Sequence, residues 1–129
     1  MKKAVRYYSK LGNTKAIAEA IAEGAGVNAV SITDEPRLNE YTDVLYLGGA
    51  PYANIMAPEL KAYAESLDAD KVGKVVLFTT SNWSRRTVLA LKKLLKGKGI
   101  AVADEYFYAH MLHIKGRIDA ARAFGRKDI

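Results

Sequence analysis

The run Ser9-Lys10-Leu11-Gly12-Asn13-Thr14 places two hydroxyls, a glycine and a helix start within six residues. These are the parts of an anion site. Backbone N–H groups at a helix N-terminus point at a ligand, the helix dipole favours negative charge, and Ser9 and Thr14 add hydroxyl donors. The same residues also read as an ordinary turn in which Asn13 or Thr14 caps the helix. Two phosphate-binding loops are excluded. The Gly-Lys-Ser/Thr ending of a nucleotide-triphosphate loop is missing, and Gly12 alone does not make a dinucleotide fingerprint.

Two further stretches carry ligand-contacting types. Gly48-Gly49-Ala50-Pro51-Tyr52-Ala53-Asn54 combines small residues and a fixed proline, which let backbone approach a flat ligand, with a tyrosine able to stack on it. A wide turn with Tyr52 packed on its own domain is the alternative. Thr79-Thr80-Ser81-Asn82-Trp83-Ser84 offers small polar side chains for a polar ring edge and the only tryptophan to cover its face. Here the alternative is a helix start capped by Ser81, Asn82 or Ser84. Taken together, the three stretches describe a site for a phosphorylated, planar, polar-edged ligand, a description that flavin mononucleotide (FMN) fits.

Other chemistry is thinly provided. The chain has no cysteine, which excludes disulfides, thiolate metal sites and a cysteine nucleophile. Its histidines are His110 and His113, too few for a histidine-rich metal site. Asp104 and Glu105 are adjacent, so in a strand they point to opposite faces and form no catalytic pair. Arg85 and Arg86 read as surface charge, or as contacts for a phosphate or an acidic partner.

These residues need elements to position them, and the sequence alternates strand-like and helix-like segments. Lys3–Tyr8, Ala29–Ile32, Asp43–Leu47, Lys74–Thr79 and Ile100–Tyr108 read as strands, the third stopping at Gly48-Gly49. Thr14–Glu23, Pro58–Leu67, Ser84–Lys96 and Gly116–Phe124 read as helices. Ile17, Ala18 and Ile21 face inward on the first, which Gly24 and Gly26 end; Val88, Leu91 and Leu95 face inward on the third. Asp34–Tyr41 reads as a loop or one helical turn. Such alternation predicts right-handed crossovers and a five-stranded, doubly wound parallel sheet with helices on both faces. Ligands of that α/β architecture bind outside the carboxyl ends of the strands, where all three stretches fall.

The chain of 129 residues is expected to form a single domain spanning 1–129. No stretch reaches the roughly 18 apolar residues of a membrane span. The start, Met1-Lys2-Lys3-Ala4-Val5-Arg6, has charges where a signal peptide needs an apolar run, so a cytoplasmic protein is expected. The net charge of +6 divides into −3 for residues 1–70 and +9 for residues 71–129. A basic half suits phosphates, nucleic acid or an acidic protein. No nucleic-acid motif or row of aromatics accompanies it, so nucleic acid is not the expected partner.

Tyr8-Ser9-Lys10-Leu11-Gly12-Asn13-Thr14-Lys15 resembles the phosphate-binding signature of flavodoxins. The Gly48-Gly49-Ala50-Pro51-Tyr52 and Thr80-Ser81-Asn82-Trp83 stretches fall where that family places its two flavin-ring loops. The element order matches over nearly the whole chain, and with no insertion in the last strand the resemblance is to the short-chain type. It implies a flavodoxin-like three-layer sandwich of strand order 2-1-3-4-5, binding FMN non-covalently. Ser9, Lys10, Leu11, Gly12, Asn13 and Thr14 would form the phosphate loop. Gly49, Ala50, Pro51, Tyr52, Ala53 and Asn54 would flank one side of the ring, and Thr80, Ser81, Asn82 and Trp83 the other. Tyr52 and Trp83 would stack, and the Tyr52-Ala53-Asn54 backbone would lie near the reactive N5 edge. Two departures stand out. Flavodoxins are typically acidic and this chain is basic. Ala53 stands where the family often has glycine, which makes a left-handed backbone there costlier by about 1 kcal/mol.

The resemblance implies electron transfer between redox partner proteins, with an acidic partner suiting the basic half, by a monomer or homodimer. A small FMN-dependent NAD(P)H or quinone oxidoreductase is the alternative. It would need a substrate pocket over the flavin, and short loops favour the carrier. A domain that has kept the fold, lost FMN and binds an acidic partner is the third reading.

Overall fold

Five extended segments pair in parallel into one sheet in the computed structural model, which describes residues 1–52, 55–82 and 84–127. In chain order the elements are β1 (Lys3–Tyr8), α1 (Asn13–Ala25), β2 (Ala29–Ser31), β3 (Thr42–Gly49), β4 (Pro51–Tyr52), β5 (Ile55–Met56), α2 (Pro58–Ser66), β6 (Val72–Ser81), α3 (Arg86–Gly97), β7 (Phe107–His110) and α4 (Ile118–Arg126). A 3-10 turn at Lys115–Arg117 leads into α4. The sheet order is β2-β1-β3-β6-β7, the 2-1-3-4-5 order expected, with β4 and β5 forming a separate antiparallel hairpin.

Period-two alternation explains why both faces are covered. In β3, Leu45 and Leu47 face one core while Val44 and Tyr46 face the other. A strand buried on both sides must be apolar almost throughout. On the first face α2 brings Leu60, Tyr63 and Ala64 and α3 brings Val88, Leu91 and Leu95. On the second, α1 brings Ile17, Ala18 and Ile21 and α4 brings Ala121 and Phe124. The inward residues predicted from helical spacing are buried. The chain leaves β1 to β2 on one side and returns to β3 on the other, so the loops after β1 and β3 diverge there. That divergence is the switch point of the sheet.

Four readings need correction. The 51–56 segment is a short hairpin, with Pro51 opposite Met56 and Tyr52 opposite Ile55, where a plain loop was expected. Gly24 does not end the first helix. It lies inside α1, and Gly26, at φ 76°, makes the C-cap. The third strand does not stop at the Gly48-Gly49 pair, because both glycines belong to β3. The last strand is Phe107–His110; of the earlier part of the predicted Ile100–Tyr108 strand, Val102 alone bridges the sheet, opposite Val75. Between that bridge and the Phe78–Phe107 pair, β6 advances three residues and the edge segment five. The two extra residues take Asp104 and Glu105 off the ladder to ion pairs with Lys92 and Lys127.

Candidate functional site

The turn after β1 is held by two backbone features. Gly12 adopts φ 92°, a left-handed state that side chains disfavour, and its N–H donates to Ser9 Oγ at 3.0 Å. A helix leaves its first four N–H groups without intrahelical partners. In α1 no side chain among the described residues caps them, and the first turn carries no acid. Neither Asn13 nor Thr14 acts as the cap that the alternative reading required. The N–H groups of Asn13, Thr14 and Lys15 are therefore open to solvent or to a ligand.

Thr14 itself is buried. Its Oγ1 lies 2.8 Å from Thr80 Oγ1, which ties the start of α1 to the end of β6. One hydroxyl of the pair donates to the other, and the acceptor keeps its own proton to donate. Nearby, Thr79 Oγ1 donates to the Gly49 carbonyl at 2.7 Å, locking β6 to β3. The glycines of β3 serve this packing: a Cβ on Gly48 would strike Phe78, and one on Gly49 would strike Leu60.

Tyr52 closes the site towards the first loop. Its hydroxyl oxygen accepts the Lys10 N–H at 2.9 Å, and Lys10 Nζ sits over its ring at 4.7 Å. Its ring meets Tyr8 edge-on at 6.2 Å. Tyr8 in turn donates its hydroxyl proton to Glu59 at 2.8 Å. That bond raises the Tyr8 phenol above its usual range. Glu59 is held below the usual carboxylate range, first by its own backbone N–H and then by Tyr8.

On the opposite side Ser81 and Asn82 are fixed by the last strand. Ser81 Oγ donates to the Ser84 carbonyl at 2.6 Å, and the Ser81 carbonyl accepts from Tyr108 Oη and the Met111 N–H. Leu112 N–H donates to His110 Nδ1 at 3.1 Å, so in the neutral ring Nε2 carries the proton and donates to Asn82 Oδ1 at 2.9 Å. The Asn82 amide is thus turned with its carbonyl to His110, leaving its NH2 group as a donor.

Between these three loops lies a cleft of about 330 Å³. Ser9, Leu11, Asn13 and Thr14 line it from the first loop, Ala50, Pro51 and Tyr52 from the second, and Thr80, Ser81 and Asn82 from the third. Lys10, Gly12 and Gly49 are not on its lining. Lys10 and Gly12 shape the first loop, and Gly49 faces the core. The predicted site residues Ala53, Asn54 and Trp83 lie outside the described residues. Ser84, from the same polar stretch, and Met111 complete the lining, and Met111 was not foreseen. An apolar Met111-Leu112 pair just past the carboxyl end of the edge strand was the signal for the latter.

The cleft fits FMN by the chemistry of its donors. An uncapped helix start without acids suits a phosphate. Leu11, Ala50, Pro51 and Met111 suit an apolar ring face, and Ser81 and Asn82 suit a polar ring edge. Its volume lies at the lower end of ordinary small-molecule sites. Among the described residues no group of acids or histidines is placed to hold a metal, and no helix is long and apolar enough to cross a membrane.

No family model matches the sequence, and no curated protein matches it. Solved structures do resemble it. A flavodoxin from the domain Archaea superposes with a TM-score of 0.78 at 21% identity, covering 98% of this chain and 94% of that one. A WrbA-like flavodoxin from Agrobacterium tumefaciens gives 0.76 at 22% identity, with coverages of 98% and 94%. A short-chain flavodoxin associated with a bacterial microcompartment gives 0.69 at 16%, with 97% and 95%. With its sheet order and its cleft at the switch point, the chain therefore has the flavodoxin-like α/β fold over nearly its whole length.

Proposed function

We propose that this chain binds FMN in the cleft and acts as an electron carrier between redox proteins. The observation that carries the reading is the uncapped, acid-free start of α1, opening into a cleft whose other walls supply an apolar face and a polar edge. The Asn13, Thr14 and Lys15 N–H groups would hold the phosphate, with Ser9 and the Thr14–Thr80 pair supporting it. Tyr52, Pro51 and Met111 would cover the ring, and Asn82 would donate to its edge. FMN would supply one- and two-electron chemistry, while the protein fixes its orientation and limits water. A carrier is favoured over an oxidoreductase because the hairpin walling the cleft has only two residues per strand, too little to roof a substrate pocket.

The test places an acid at the anion site. Asn13→Asp adds a charge that favours a helix start but repels phosphate. FMN affinity, read by quenching of flavin fluorescence, should fall at least about tenfold, a loss of about 1.4 kcal/mol. Affinity for riboflavin, which lacks the phosphate, should hold. Equal effects on both flavins would overturn the phosphate assignment. A protein that ignores FMN altogether would overturn the cofactor and favour the domain that has lost it.

A further inference from the structure

On the far side of the hairpin lies a second concavity, a groove of about 940 Å³ between β5, the start of α2 and one whole face of α3. From α3 it is lined by Arg86, Leu89, Ala90, Lys93, Leu94 and Gly97, spaced three or four apart along a single stripe. At 1.5 Å per residue that stripe runs about 16 Å, three turns of helix. α3 buries Val88, Leu91 and Leu95 in the core, and half-buried Leu94 packs against the same core, but Leu89 on this second stripe stands clear of it. Leu89 is 63% exposed and Ile55, facing it from β5, 61%. Large apolar side chains left this open in a contiguous groove mark an interaction site.

The rim has one sign. Lys61 on α2 and Arg86 and Lys93 on α3 edge the groove, no acid lines it, and none of the three side chains enters an ion pair among the described residues. At its far end Gly97 leaves open space. We propose that this groove docks an acidic amphipathic helix of a partner protein, an apolar ridge seated on Leu89, Leu94 and Ile55 with carboxylates against Lys61, Arg86 and Lys93. The length and straightness of the stripe fit a helix laid in a groove. The lining follows one helix face bordered by β5 and the start of α2, an elongated stripe that suits a helical ridge. That the partner is a redox protein rests on the FMN reading; the docking chemistry does not. Because Tyr52 of the cleft and Ile55 of the groove are paired across one hairpin, the docked helix would lie within a few strand widths of the cleft.

The test uses two synthetic helical peptides of about four turns with the same leucine ridge, one flanked by glutamates and the other by lysines. Each is titrated into the isotopically labelled full chain and followed by amide shifts. The glutamate peptide should bind and shift residues of α3 and β5, weakening as salt rises from about 50 to about 300 mM. Leu89→Ser, at an exposed position, should weaken it about tenfold or more. Lys61→Glu with Lys93→Glu should invert the preference towards the lysine peptide. Equal binding of both peptides, or shifts away from the groove, would overturn the proposal. So would co-sedimentation of the chain with phosphatidylglycerol vesicles that Leu89→Ser abolishes, since the groove would then be a membrane contact. FMN titrations of the same variants should be unchanged. A chain that ignores FMN yet binds the glutamate peptide keeps the docking site and loses only the redox purpose.

Discussion

Single residues show what local patterns can and cannot reveal. Ser9 and Gly12 were legible because the grammar of a helix start is local: a hydroxyl, a left-handed glycine, then the first turn. The Thr14–Thr80 hydroxyl pair was not, because its members stand 66 residues apart and meet only through the sheet. Tyr46 is a third kind. Its ring is buried against Phe124, and its hydroxyl has no hydrogen-bond partner among the described residues. A buried polar atom without a partner costs about 1–3 kcal/mol, whereas its removal leaves the ring packing intact. Tyr46→Phe should therefore match or exceed the wild-type stability, by about 1 kcal/mol in urea unfolding. A clear loss of stability would mean that the hydroxyl has a partner after all.

At the scale of elements, period and punctuation identified the helices and the first four strands of the main sheet, but punctuation misled where a glycine serves packing. Gly24 looked like a helix stop and is a helix contact. A Cβ there would come within 1.9 Å of the Arg122 carbonyl oxygen, and one on Gly125 within 2.0 Å of the Ile21 carbonyl oxygen. The two glycines let the α1 and α4 backbones touch, and Arg122 closes the contact with ion pairs to Glu23 and Asp119. Opposite signs follow from two principles here. Helix propensity alone would make Gly125→Ala stabilising by about 1 kcal/mol. Overpacking against backbone that cannot turn aside should make it destabilising by about 3 kcal/mol, and that effect wins. A urea titration of the variant decides the sign. The hairpin and the broken edge strand were hidden for another reason. Two-residue strands carry no period, and the two extra residues at Asp104 and Glu105 show only once the edge segment is laid against β6.

For the whole molecule, the tyrosines set a limit on the alkaline side. Burial pushes Tyr63 up to about 12 and raises Tyr7 and Tyr46, while the Glu59 carboxylate raises Tyr8. Each folded-state value stands above the ordinary 10.0, so the native state holds phenolic protons that the unfolded chain releases first. This contribution to stability is complete below pH 10 and is lost as pH rises from 10 towards 12. Urea midpoints should be flat up to about pH 9.5 and then fall, with a late, cooperative rise of tyrosinate absorbance. Tyr63→Phe should flatten part of that fall. A midpoint unchanged through this window would mean that the phenols titrate as freely in the fold as out of it. Charge at this scale was legible in sign but not in place. The basic excess of residues 71–129 gathers in the sequence at Arg85, Arg86, Lys92, Lys93, Lys96 and Lys98 with no acid between, and the fold sets Lys61, from the acidic half, beside Arg86 and Lys93.

The touching glycines also bear on how the fold is reached. About 90 residues separate the end of α1 from the start of α4, and closing a loop of that length costs about 4 kcal/mol of chain entropy. The helix whose N-terminus faces the cleft packs on β1 and β2 nearby in the chain, and its most extensive contact, with α4, is one of the most sequence-distant in the protein. Contacts of this kind form slowly, because the entropy is lost before the packing repays it. A chain interrupted before α4 can pair its central strands, but the cleft of such a chain would stand on a helix held by the sheet alone.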